Sequence, residues 1–186
     1  MKERSNPLNL PNLITGFRFI LSGFLALLLT FEQTQSMALF AWLVFSIAAC
    51  SDWMDGYFAR RYDSVTALGK LIDPLADKIL VTTALIMLIP LDRLPAWVAL
   101  VILAREILIT GLRGVASAEG VVVAASGLGK IKSIAQYIGL GTLIFPLGII
   151  PVPYLHEIGL IIVYIALILT VWSGADYFYK LRKVFL

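Results

Sequence analysis

Charge is scarce in this chain. Of its 186 residues only 15% are Asp, Glu, Lys or Arg, whereas ordinary soluble domains carry about a quarter. A chain this short has too small an interior for a composition that is 60% hydrophobic, so much of the apolar surface must face lipid. There is a single cysteine, Cys50, which excludes an internal disulfide framework and reads as a small packing residue in an apolar run. The single histidine, His156, lies far from the carboxylates described below and receives no role. No tandem repeat or low-complexity tract is found. The formal net charge is +3, but the cations sit beside apolar runs rather than in an aromatic-interleaved patch, so no nucleic-acid partner is expected. The polar start MKERSNPLNLPNL runs into an apolar stretch long enough to span, so no cleavable signal peptide is expected.

What is present is a series of long hydrophobic runs. A bilayer crossing needs about 20 apolar residues, and six runs qualify, at roughly 13–30, 37–60, 70–90, 95–116, 127–149 and 154–178. Polar or turn-forming stretches separate them: FEQTQS, RYDSVTA, PLDRLP, ASAEGVVVAASG and PVPYLH. The expectation is an all-α integral membrane protein, one domain over residues 1–186, with six transmembrane helices. A short N-terminal segment, Leu8–Leu13 with Pro7 and Pro11, is expected to lie along the interface. Lys2, Arg4, Arg60, Arg61, Lys130, Lys132, Lys180, Arg182 and Lys183 fall at one face, and only Arg93 falls opposite. Positive charge marks the cytoplasmic side, which places both termini there and the protein in the cell membrane. Trp97 and Tyr154 suit an outer aromatic belt, and Tyr177 and Tyr179 an inner one.

Against that background four aspartates stand out. At 100° per residue Asp55 lies about −60° from Asp52, Gly56 about +40° and Ala59 about −20°, so all four share one helical stripe. Gly69, Asp73 and Asp77 make a second stripe at the near end of the next span, and the loop between is short. The spacing predicts antiparallel neighbours with facing acidic rows. A carboxylate inside a membrane helix costs at least ~2.5–3.5 kcal/mol, and mutual repulsion adds to that. No matching set of cations shares the stripes. Two divalent cations would resolve the conflict, and oxygen-only ligands suit Mg2+ or Mn2+. A proton or cation relay, as in a cation transporter, is the rival reading of the same residues. Such transporters carry internal repeats and broken helices near the midplane, and neither is visible here. Gly56, Ala59 and Gly69 would let helices close up, or leave room for a base and a diphosphate. Asp63, in the RYDS loop, reads as a solvated helix end.

The full pattern is Asp52-x-x-Asp55-Gly56-x-x-Ala59-Arg60, eight residues, Gly69, three residues, Asp73, three residues, Asp77. It resembles the signature of the CDP-alcohol phosphotransferase family without a departure. NLPNLITGFR (9–18), LGKLIDPLADKIL (68–80), REILITGLR (105–113) and AASGLGKIKSIAQ (124–136) extend the resemblance toward its phosphatidyl-transferring members. Ser133 stands where threonine would be more usual, with the hydroxyl kept. The sixth helix adds no specific motif.

The resemblance implies six transmembrane helices, a homodimer among membrane lipids, and a site open to the cytoplasm. It implies CDP-diacylglycerol as donor, glycerol 3-phosphate as acceptor and CMP as leaving group. Asp52, Asp55 and Asp73 would hold two Mg2+ or Mn2+ ions. Asp77 would take the acceptor's proton and would also belong to the metal-holding set. Gly56, Ala59, Arg60 and Gly69, with Asn12, Thr15 and Arg18 on the first helix, would contact the donor. Arg105, Arg113, Lys130, Lys132 and Ser133 would receive the acceptor's phosphate, with Ser126 a further donor. Another acceptor, such as inositol phosphate, phosphatidylglycerol or serine, stays open within the family; the basic residues argue most strongly against serine.

Overall fold

Apolar residues recurring at three- and four-residue spacing build six α-helices, and no strand, among the residues described by the computed structural model, namely 10–62, 78–118 and 127–185. The helices are α1 (Leu10–Thr30), α2 (Gln35–Tyr62), α3 (described over Lys78–Met87), α4 (Ala96–Ala118), α5 (Gly127–Ile144) and α6 (Leu155–Phe185). Side-chain surroundings are described for residues 16–51, 78–117, 127, 129–180 and 182. The chain divides into two compact units. One holds residues 1–88 with 144–152, the other 89–143 with 153–186.

In the first unit α1 packs on α2. Arg18, Ser22, Leu25 and Leu29 share one buried face of α1, and Ala38, Ala41, Phe45 and Ala48 share one of α2. α1 starts at Leu10 without a break, so residues 10–13 form its first turn rather than a separate interfacial segment. Pro11 is tolerated there because a first-turn N–H has no intrahelical acceptor to lose. Thr34 caps α2, its Oγ1 accepting from the Met37 N–H at 3.3 Å. Leu80 and Ala84 on α3, with Leu88 just past its end, form a buried stripe. Trp42 meets Phe145 edge-on at 5.2 Å, and Gln35 Nε2 donates to the Leu147 carbonyl at 3.2 Å. Gly148 takes a φ of +88° in that segment, a conformation that side chains disfavour.

The second unit holds α4, α5 and α6. α5 ends at Ile144 rather than running to 149, because Pro146 drives the residue before it out of the helical region. Gly139 and Gly159 bring α5 and α6 close; a Cβ on Gly139 would lie 2.7 Å from Val163 Cγ2 and 3.2 Å from the Gly159 carbonyl oxygen. Arg93, in the turn before α4, donates to the Leu143 carbonyl at 2.9 Å. Burial lowers its proton affinity from the ordinary arginine value. α6 extends to Phe185, beyond the expected 178. Near its end Lys180 pairs with Asp176 at 2.6 Å and Arg182 lies over the Tyr179 ring at 3.9 Å.

Both units have a largely apolar core and also expose apolar side chains, while a few polar residues are buried. Phe17, Ile20, Phe24, Leu27 and Phe31 form an exposed stripe on α1, and Ile158, Ile161, Ile165 and Ile168 one on α6. Lys132, Gln136, Thr170 and Ser173 are buried. Among the described residues one helix, Leu155–Lys180, is long and apolar enough to cross a membrane. The six spans expected from the hydrophobic runs are thus not all matched. Gly16–Thr30, Gln35–Ser51 and Lys78–Met87 are shorter apolar helices, and Arg105, Glu106 and Arg113 interrupt α4.

Candidate functional site

The acidic row begins on α2. This helix is continuous from Gln35 to Tyr62, so Asp52, Asp55, Gly56, Ala59 and Arg60 stand on regular helical backbone. Three residues of spacing put Asp52 and Asp55 on adjoining turns of one face. Gly69, Asp73 and Asp77 lie outside the described residues, as does Ser126. The described part of α3 begins at Lys78, directly after Asp77. Asn12 and Thr15 belong to the first turns of α1, and Arg18 is buried at 1% exposure. Among the described residues no group of three His, Cys, Asp or Glu side chains gathers for a metal. The donor set still fits a hard divalent cation: every member is a carboxylate, and the two on α2 have the i, i+3 spacing of a shared helical face.

The cations of the second unit separate into two groups. The inner one joins three helices. Arg105 on α4 donates from Nη1 to Glu106 Oε1 at 3.1 Å and from Nη2 to Ser173 Oγ on α6 at 2.8 Å. Lys132 on α5, 6% exposed, donates from Nζ to the same Glu106 oxygen. One carboxylate oxygen therefore serves two cations, which neutralises part of a charge that burial would otherwise make costly. Ser173 in turn donates to the Thr170 carbonyl at 3.1 Å, and Gln136 on α5 donates to Thr170 Oγ1 at 3.4 Å. Arg105 lies flat along α6 because residue 174 is glycine. A Cβ there would sit 3.1 Å from Arg105 Nε and 3.2 Å from its Cγ.

The outer group is Arg113 with Tyr177. Arg113 Nη2 donates to Tyr177 Oη at 2.6 Å, and the guanidinium carbon lies 4.4 Å from the ring centroid. Tyr177 is 2% exposed and packs with Ile109, Leu112 and Ala116. This corrects its expected place in an inner aromatic belt: the ring is spent on packing and on Arg113, whereas Tyr179 is 62% exposed. Eight residues along α4 separate Arg113 from Arg105, a rise of about 12 Å. Lys130 is exposed, and the Ser133 hydroxyl donates back to the Gly129 carbonyl at 3.2 Å. Of the residues expected at an acceptor's phosphate, Arg105 and Lys132 are thus brought together, and Arg113, Lys130 and Ser133 are not joined to them.

Glu106, Ser173 and Gly174 escaped the sequence reading, and Tyr177 entered it only as a belt residue. Glu106 carried a signal, being a lone carboxylate beside Arg105 in an apolar helix. The α6 residues carried only the four-residue spacing of Ser173 and Tyr177, which marks a shared face but not what that face meets.

A helical protein with an apolar exterior, buried paired cations and an acidic helix end is suited to handling phosphate at a lipid boundary. The chain belongs to the CDP-alcohol phosphatidyltransferase family, whose model matches residues 8–172. This family is membrane-associated and generally depends on divalent metal. The chain is similar to CDP-diacylglycerol–glycerol-3-phosphate 3-phosphatidyltransferase of Bacillus subtilis (strain 168), at 45% identity over 74% of this chain and 71% of that protein. The protein of the same name from Rickettsia felis is 38% identical over 95% of this chain and 97% of its own length. A probable phosphatidylglycerophosphate synthase of Mycobacterium tuberculosis (strain ATCC 25618 / H37Rv) is 36% identical over 94% of this chain and 82% of its own.

Proposed function

We propose that this chain transfers the phosphatidyl group of CDP-diacylglycerol to glycerol 3-phosphate, giving phosphatidylglycerol phosphate and CMP. The observation that carries the reading is the unbroken aspartate signature, in a chain that aligns over nearly its whole length with relatives bearing that activity in their names. Asp52, Asp55, Asp73 and Asp77 would hold two divalent cations, Mg2+ or Mn2+, which neutralise the donor's diphosphate when bound. Asp77 takes the proton from the acceptor's primary hydroxyl. That oxygen bonds to the phosphorus bearing diacylglycerol, and the bond from this phosphorus to the bridging oxygen breaks. CMP leaves as a phosphate anion and needs no strong acid. Gly56, Ala59 and Gly69 make room for cytidine and diphosphate. Arg60 and, on α1, Asn12, Thr15 and Arg18 contact the donor. Arg105, Arg113, Lys130, Lys132 and Ser133 supply cations and a hydroxyl for the acceptor's own phosphate.

The exposed apolar stripes of α1 and α6 support a multi-pass position in the cell membrane, since a soluble chain rarely exposes apolar stripes of this length. The distribution of Lys and Arg supports cytoplasmic termini and a cytoplasmic site. Lipid tails then stay in the bilayer while the headgroup enters between helices. A homodimer completes the proposal. The basic residues on α4 and α5 favour an acceptor with a phosphate monoester, such as glycerol 3-phosphate or inositol phosphate, over serine or phosphatidylglycerol.

Purified protein with Mg2+ or Mn2+ is expected to release CMP from CDP-diacylglycerol only when glycerol 3-phosphate is added. Equal release with serine, or no release together with cation flux in vesicles, would overturn the reading. In the same assay Arg113→Ala is expected to raise the KM for glycerol 3-phosphate roughly tenfold or more, the worth of a charge-assisted hydrogen bond, and to leave the donor's KM nearly unchanged. An unchanged acceptor KM would remove Arg113 from the site.

A further inference from the structure

α6 carries none of the family's sequence signature, yet it touches both arginines proposed for the acceptor's phosphate. Ser173 accepts from Arg105 at 2.8 Å, Gly174 leaves the space in which the Arg105 stem lies, and Tyr177 holds Arg113 by hydroxyl and ring together. We infer that the Ser173–Gly174–Tyr177 face of α6 is the positioning element of the acceptor site, with Tyr177 the residue that aims Arg113. This rests on the function proposed above.

Arginine binds a phosphate well when its planar fork is already oriented, because a long, freely rotating side chain loses much entropy on binding. Tyr177 suits the task of orienting it. It is buried at 2% exposure among Ile109, Leu112 and Ala116, so its own position is set by packing. Its hydroxyl accepts one of the five guanidinium N–H donors, at 2.6 Å, and its ring face backs the cation at 4.4 Å. One donor is used to set the plane, and a bidentate phosphate contact needs two. Arg105 is held by the same helix in a different way. Ser173 takes Nη2, and the absence of a side chain at 174 lets Nε and Cγ approach α6 to distances that a Cβ would contest. All three α6 residues are buried, and all three belong to the same unit as both arginines.

The test is steady-state kinetics on Tyr177→Phe and Gly174→Ala in the full-length protein, with both substrates varied and inorganic phosphate as competitive inhibitor against the acceptor. Tyr177→Phe keeps the ring and removes the hydroxyl. The expected result is a rise of roughly three- to tenfold in acceptor KM and in phosphate Ki, with donor KM and thermal midpoint little changed. Gly174→Ala, which displaces Arg105, is expected to raise the same two constants. If that variant fails to fold, Tyr177→Phe still decides. A role confined to packing would lower the thermal midpoint and leave acceptor KM and phosphate Ki as they were, and that result overturns the inference. Wild-type protein serves as the control on the underlying reading: if it fails to use glycerol 3-phosphate, the proposed function and this inference fall together. If it uses glycerol 3-phosphate and the variants show no shift, only the inference falls.

Discussion

Asp77→Asn is expected to keep divalent-metal binding and to lose turnover by roughly a hundred- to ten-thousandfold, the usual worth of a positioned general base. Asparagine preserves the volume and a carbonyl oxygen that can still meet a cation, but it has no lone pair basic enough to take the hydroxyl proton. An isolated aspartate is a weak base, with a pKa near 3.9. The base is therefore expected to work on a hydroxyl already held in place by the acceptor's phosphate contacts. The check is kcat for CMP release, measured beside Mn2+ affinity on the same preparation. A variant with normal kcat would show that Asp77 is not the base, and one that lost metal as well would make it a ligand first.

Removing the carboxylate of Glu106 is expected to be the most damaging single change to stability in the second unit. Its Oε1 serves both Arg105 and Lys132, and the Lys132 side chain is only 7% exposed. Glu106→Ala takes away the carboxylate oxygen that a buried lysine and a half-buried arginine share. Breaking a buried pair from one side typically costs about 3–5 kcal/mol, more than the pair's net contribution, because the remaining charge stays desolvated. The double variant Glu106→Ala with Lys132→Met removes both members of the pair and is expected to recover most of the loss. Thermal or denaturant unfolding in detergent of both single variants and the double variant gives the coupling directly. A Glu106→Ala protein as stable as wild type would mean that the triad carries no weight.

The periodic features were readable in advance, and the cross-helix ones were not. All six expected spans overlap a described helix, because apolar spacing and prolines report on local backbone. The exceptions are also local in cause: Pro146 stops α5 early, and residues 10–13 join α1 because proline is tolerated in a first turn. The helical stripe of Asp52, Asp55, Gly56 and Ala59 needed only a continuous helix, and α2 is one. That this row faces the one carrying Asp73 and Asp77 remains part of the proposal. Tyr177 shows where reading by residue type fails. A tyrosine near a membrane face suits an interfacial belt by composition, but its place depends on which way α6 turns toward α4. Glu106 illustrates the same point. Its worth comes from Lys132, 26 residues further along the chain and on another helix. No spacing rule within one helix encodes that meeting.

The central claim is that the aspartate rows hold a pair of divalent cations for the donor's diphosphate. Electron paramagnetic resonance of Mn2+ titrated into the purified protein tests it most directly. Two ions held about 3.5–4 Å apart are expected to give a spin-coupled signal at two equivalents, lost in Asp52→Asn and Asp55→Asn. A titration that shows only free or singly bound Mn2+, unchanged by those substitutions, would contradict it.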